Sequence, residues 1–152
     1  MRLVELYQRT VDIEDNCIRI NFHFDCVCAG VRVASVRDGA TARLTVQNET
    51  EKATHIRGPA WTPASSLQLL VNDVDSETAV SQGFLHVPGN SQGTDIMLRY
   101  ALPETTTQEI WRDAPAKQES VTFRWRGDDI IDVEPGGCYM APFAKPCASF
   151  GQ

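Results

Sequence analysis

Val31-Arg32-Val33-Ala34-Ser35-Val36, then Asp38-Gly39, then Ala42-Arg43-Leu44-Thr45-Val46: the reading of this stretch decides the fold. Side chains of an extended chain point alternately to its two sides, so each run offers one apolar and one polar face, as a half-buried strand does. Asp-Gly between two such runs is a hairpin signal, because glycine takes the positive φ of a tight turn without steric cost. Upstream the same alternation covers residues 17–24, with Ile18, Ile20, Phe22 and Phe24 on one face and Arg19, Asn21 and His23 on the other. Downstream it predicts strands over residues 55–57, 67–72, 83–87, 95–102, 107–111, 120–126 and 129–134. Pro63, Asn72-Asp73, Pro88-Gly89-Asn90, Gly93, Pro103 and Pro135-Gly136-Gly137 punctuate them. No amphipathic helix of about ten residues is visible. Short strands with turn signals every ~8–12 residues predict an all-β fold, an antiparallel β-sandwich of jelly-roll-like kind with short turns and little or no helix. Residues 1–16 read as an N-terminal extension or a peripheral strand, and residues 17–152 as a single sandwich domain.

The 152 residues are enough to bury one core, and 42% hydrophobic with 22% charged residues is globular composition. A net charge of −6 without a basic run argues against a nucleic-acid partner, since phosphate contacts need clustered lysine and arginine. No apolar run approaches the ~18 residues of a membrane span. The first residues, Met1-Arg2-Leu3-Val4-Glu5, lack the apolar stretch of a signal peptide, so the expectation is a cytoplasmic protein with no membrane partner. The five cysteines, Cys17, Cys26, Cys28, Cys138 and Cys147, then default to reduced thiols, and an odd number cannot pair fully within one chain.

Candidate chemistry is sparse. Cys26-Val27-Cys28 has one residue between its thiols where a zinc knuckle has two or more, so buried thiols are the leading expectation. His23, His55 and His86 sit in predicted strands without metal-binding spacing. No nucleophile elbow and no phosphate-cradling glycine loop occurs. Asp73, Asp75, Asp128, Asp129, Asp132 and Glu134 fall in turns or on outward alternations, where a carboxyl has no pocket to raise its pKa. Arg126-Gly127-Asp128 lies between two strands and reads as a hairpin turn. Trp61, Trp111 and Trp125 are the residues with a ligand-binding alternative. An exposed indole can stack under a sugar ring, although Trp125 shares a period-two stripe with Val121 and Phe123, and Trp61, between Pro59 and Pro63, is placed to cap a sheet end.

Taken in order, several segments resemble a known family. Arg57-Gly58-Pro59-Ala60-Trp61 resembles its Arg-x-Pro-x-Trp signature, and Leu70-Val71-Asn72 its Val-Asn-Gly turn, with Asp73 in place of the glycine. Gly83-Phe84-Leu85 is similar to its Gly-Tyr-Leu strand, and the run from Asp95 to Pro103 to its Asp-Val-Val strand ending in proline. The run from Trp125 to Pro135 resembles the closing hairpin. The order is that of the C-terminal β-sandwich of β-L-arabinofuranosidase-like proteins, the glycoside hydrolase family 127 group, over residues 17–145. The resemblance implies a domain without catalysis. In that family a zinc-held cysteine nucleophile with glutamate and further cysteines belongs to a separate (α/α)6 barrel, and no residue here matches that motif. No catalytic residue, metal or cofactor is therefore assigned.

Two readings follow. The first is a non-catalytic accessory domain that packs against a helical glycosidase barrel, or self-associates, through an exposed apolar patch on one sheet face. The second is a carbohydrate-binding module that uses Trp61, Trp111 and Trp125.

Overall fold

The computed structural model describes residues 9–114 and 117–135, with side chains throughout except over 111–119. Its strands in chain order are β1 (Val11–Ile13), β2 (Cys17–Ile20), β3 (Cys26–Cys28), β4 (Val31–Asp38), β5 (Thr41–Asn48), β6 (Ala53–Arg57) and β7 (Gln68–Val71). There follow β8 (Val74–Ser76), β9 (Val80–Ser81), β10 (Phe84–Val87), β11 (Thr94–Ala101), β12 (Glu104–Ala114), β13 (Lys117–Arg126) and β14 (Asp129–Glu134). A single 3-10 turn, Ala64–Ser66, is the only helical element among the described residues. The chain is thus an all-β, largely antiparallel sandwich, as the alternation predicts.

The chain divides into two compact units, Met1–Ala101 and Leu102–Gln152, where the sequence reads as one sandwich over 17–152. The division follows the hydrogen bonding: β12, β13 and β14 pair only with one another. In the first unit, β1-β2-β6-β10-β9 form a five-stranded sheet and β3-β4-β5-β11-β7-β8 a six-stranded one. One pairing, β2 with β6, is parallel. Val11–Ile13, within the stretch read as an extension or peripheral strand, is the edge strand of the five-stranded sheet.

Register turns the local alternation into a core. Val11, Ile20, Ile56 and Leu85 stand side by side across four strands of the five-stranded sheet, all turned inward. Across the six-stranded sheet, Val33, Val46 and Ile96 align, as do Leu44, Leu98 and Leu69 one row on. These side chains are essentially without solvent contact. At about 1.5–3 kcal/mol for each fully buried aliphatic side chain, they dominate the folding energy.

The predicted strand over 17–24 ends at Ile20. The Asn21 amide donates to the Thr10 carbonyl at 2.9 Å, and Asp25 then accepts the Ser35 amide at 2.7 Å. Phe22 is half-buried and Phe24 is 45% exposed, so neither continues the inward row of Ile18 and Ile20.

Where the chain passes from the six-stranded to the five-stranded sheet, residues 48–53 form a crowded corner. The Asn48 side chain is buried there with both ends engaged. Nδ2 donates to the Lys52 carbonyl at 2.9 Å and to Thr54 Oγ1 at 3.0 Å. Oδ1 accepts from the Thr50 amide at 2.9 Å and from its hydroxyl at 2.7 Å. The loop of Gly89 lies directly on this corner, and a Cβ at 89 would collide with the backbone of Glu51 and Lys52.

The tight turns follow their residues' φ preferences. Gly127 adopts φ 61° between β13 and β14, so Arg126-Gly127-Asp128 makes the expected hairpin. Asn72 and Asp73 both adopt positive φ, 50° and 63°, in the two-residue turn joining β7 to β8.

Two stability measurements check this account. Gly89→Ala is expected to cost about 1–3 kcal/mol in urea unfolding, because backbone must move to admit the methyl group. Gly58→Ala, whose Cβ would meet Val80 at an ordinary 3.8 Å, serves as the near-neutral control. Asp73→Gly is expected to stabilise by about 1 kcal/mol, since the left-handed conformation strains any residue with a Cβ. A loss of stability in that variant would contradict the assigned turn.

Candidate functional site

The three tryptophans are divided between the two units. Trp61 belongs to the first unit and Trp111 and Trp125 to the second. Trp61 is half-buried, its ring centroid 5.9 Å from that of Tyr100. Its loop is fixed by Thr62, whose hydroxyl donates to the Ala101 carbonyl at 2.9 Å. Trp125 is half-buried on β13, 6.3 Å from Phe123 between ring centroids, and its indole N–H donates to Thr107 Oγ1 at 2.8 Å. Trp111 stands opposite Glu119 in the β12–β13 register, and its side chain lies outside the described ones.

Around Tyr100 a small polar and aromatic cluster forms. His23 Nδ1 lies 2.7 Å from the Tyr100 hydroxyl, and His23 Nε2 lies 3.0 Å from the Arg57 carbonyl. A carbonyl can only accept, so Nε2 carries the proton and Nδ1 accepts from the Tyr100 O–H. His23 therefore joins the segment after β2 to β6 and β11, and it is a tie within the fold rather than the free strand-face histidine that alternation suggests.

His55 and His86 are cross-strand neighbours on the outer face of the five-stranded sheet, 4.3 Å apart between ring centroids. Desolvation, then the neighbouring His86, pushes the His55 imidazole below its usual pKa. Arg19 beside them is held by Glu14 at 2.8 Å. Among the described residues no group of three or more His, Cys, Asp or Glu could hold a metal ion.

Two of the described cysteines sit where their thiols are harder to ionise. Cys17, Cys26 and Cys28 are free thiols. Burial pushes the Cys17 thiol up, and its contact with Glu14 Oε2 at 3.4 Å adds to this. Burial likewise raises Cys26, with Cys28 contributing. A raised pKa keeps the thiol protonated and removes nucleophilic character. Cys138 and Cys147 lie outside the described residues.

Two concave features lie on the outer face of the six-stranded sheet, and a polar one of about 540 Å³ lies at its end beside Asn72 and Asn90. One hollow of about 450 Å³ has Ala34, Thr45, Leu70 and Met97 in its floor, with Arg32, Asp73 and Asp95 among its polar lining. A second of about 630 Å³ is lined by Arg43, Arg99, Gln68, Ser66 and Asp38 among others. Sequence reading missed this face. Alternation turns Arg43 and Arg99 outward, but their direct opposition needs the β5–β11 register, which joins segments far apart in the chain.

Apolar surface in the first unit lies on the outer face of the six-stranded sheet, where Val36 is exposed and Ala34, Leu70 and Met97 are half-buried, and on the outermost strands. Ile13 and Val80 are exposed on the outermost strands of the five-stranded sheet, and Val27 and Val74 on those of the six-stranded sheet. Outward rows such as Asp12, Arg19, His55 and His86 are polar. Ile13, Val74 and Val80 turn inward at a sheet edge, where a side chain has a neighbour on one side only, whereas Val27 stands opposite Arg32 on the outer face.

No protein-family model matches the chain, and no curated protein matches it by sequence. Among solved structures, it is similar to a GH127 beta-L-arabinofuranosidase from Geobacillus stearothermophilus T6, with 15% sequence identity and a TM-score of 0.50. The likeness covers 82% of this chain and 21% of that enzyme, so the chain spans about a fifth of the length of the structure it matches. At this identity the likeness is one of fold alone.

The His23–Tyr100 assignment is testable by nitrogen-15 NMR. The Nε2–H tautomer is expected, with Nδ1 as the unprotonated nitrogen, and Tyr100→Phe should cost about 1–2 kcal/mol by leaving that nitrogen without its donor. Observation of the Nδ1–H tautomer would contradict the geometry.

Proposed function

We propose that this chain is a non-catalytic accessory β-domain, related to the C-terminal sandwich of β-L-arabinofuranosidase-like glycoside hydrolases, that works by packing against a helical catalytic partner. The observation that carries this reading is the unequal coverage of the structural likeness: most of this chain corresponds to a domain-sized part of a much larger enzyme. Two features add support. Cys17 and Cys26 have raised thiol pKa values, and the described histidines are committed to one another or to the fold.

On this reading the partner covers the rims of the sandwich, where the exposed Ile13, Val27, Val74 and Val80 stand, rather than the centre of a sheet face. The alternative, a carbohydrate-binding module built on Trp61, Trp111 and Trp125, draws less support. The Trp125 indole N–H is already engaged by Thr107, and the Trp61 ring lies against Tyr100.

Co-expression with a helical GH127-type catalytic domain, followed by sedimentation analysis, tests the proposal. A stoichiometric complex is expected, weakened by Val27→Asp and Val74→Asp, and the chain alone should not turn over nitrophenyl arabinofuranoside. Absence of any complex at high concentration, or turnover by the purified chain, would overturn it.

A further inference from the structure

Arg43 and Arg99 face each other directly across β5 and β11, two central strands of the six-stranded sheet, and both are exposed. Cβ atoms in such a pair are about 5 Å apart, and like charges so placed destabilise a sheet. Among the described residues neither guanidinium has an ion-pair partner, unlike Arg19 with Glu14 or Arg124 and Arg126 with Glu104. Asp38 lines the same hollow without reaching either. The Gln68 amide, next in the row after Arg99, is turned to Asp75 at 3.2 Å. Two forked donors side by side, with no acceptor of their own, are built to hold a carboxylate or phosphate by charge-assisted bidentate hydrogen bonds.

The row beside them gives the rest of the ligand its chemistry. Thr45 and Met97 lie two residues along the same strands, about 7 Å away. That span is the reach of a sugar ring plus the oxyanion it carries. Their hollow of about 450 Å³ has a half-buried floor of Ala34, Leu70 and Met97 and polar groups at one side. A partly apolar concavity of this size with a few orienting polar groups is the usual form of a small-molecule site. Asp73 and Asp95, the latter in the row that also carries Arg32, stand at the end away from Arg43 and Arg99. Carboxylates accept from hydroxyls and repel an anion, so the face orients its ligand: hydroxyls toward the aspartates, oxyanion toward Arg43 and Arg99.

We propose that the outer face of the six-stranded sheet binds a sugar bearing an oxyanion, held by Arg43 and Arg99, with its ring over Thr45, Leu70 and Met97. The site does not use the tryptophans.

The test is titration of the full chain, followed by arginine Nε–H NMR and calorimetry at low salt. The probes are an oligogalacturonate, a hexose 6-phosphate, inorganic phosphate and a neutral arabino-oligosaccharide. At least one acidic sugar is expected to give saturable shifts at Arg43 and Arg99, and to bind about tenfold or more tighter than inorganic phosphate or the neutral sugar. Preference between uronate and sugar phosphate identifies the oxyanion, and either preference supports the site. Arg43→Gln and Arg99→Gln should each weaken binding about tenfold or more, whereas Arg57→Gln on the other sheet should not. Both site variants should melt no lower than the parent chain without ligand, because each removes the like-charge opposition; this keeps loss of binding separate from loss of fold. No saturable binding of either acidic sugar, or binding unchanged in both site variants, overturns the proposal. So does inorganic phosphate binding as tightly as the sugar acids.

Discussion

The first unit hangs on the corner at Asn48. A sandwich whose chain moves between sheets must take backbone polar groups through its interior, and each left unpaired there costs about 1–3 kcal/mol. The buried Asn48 amide meets that demand by joining the end of β5 to the start of β6 through Lys52, Thr54 and Thr50. Other segments converge on the same few residues. The Glu49 amide donates to the Gly30 carbonyl at 2.9 Å, and the Lys52 ammonium to the Glu14 carbonyl at 2.6 Å. Gly89 lies where no side chain fits, and a Cβ on Gly93 would stand 3.0 Å from the Asn48 carbonyl oxygen. The β1–β2, β3–β4 and β10–β11 connections are therefore all referenced to one corner, and the inward rows of the two sheets are held in mutual register from it.

With the interior fixed this way, the two outer faces differ in how their charges are balanced. On the five-stranded sheet Arg19 is neutralised by Glu14, His55 and His86 rest against each other, and Arg57 lies over the Phe84 ring at 5.1 Å. On the six-stranded sheet Arg43 and Arg99 oppose each other with no such partner among the described residues. The second unit follows the first pattern: Arg124 and Arg126 converge on Glu104, and Arg124 also on Asp132. Arg126 beside Glu104 holds that carboxyl below its usual pKa, as expected of an acid stabilised in its charged form.

Much of this was legible from the chain. Period-two alternation and turn residues located the strands from β4 onward to within a few positions, because hydrophobic burial and φ preferences are local properties. The break after Ile20 was not legible, since alternation continues through Phe22 and Phe24 while the hydrogen bonds of Asn21 and Asp25 lead the backbone elsewhere. The short β8 and β9 were missed because pairing with β7 and β10, not composition, makes them strands. The parallel β2–β6 pair, the His23–Tyr100 contact and the Arg43–Arg99 opposition all depend on which distant strands become neighbours. Residue patterns within one strand carry no information about that choice.

This asymmetry bears on where function lies. A surface shows use where it departs from the cheapest stable arrangement. The rims depart through isolated exposed aliphatics, each a small cost that a partner removes by covering it. The outer face of the six-stranded sheet departs through a like-charge pair set beside a half-buried hollow, a cost that an aliphatic partner cannot relieve and an anion can. The two departures differ in chemistry: burial of apolar surface relieves the first, and a counter-charge the second.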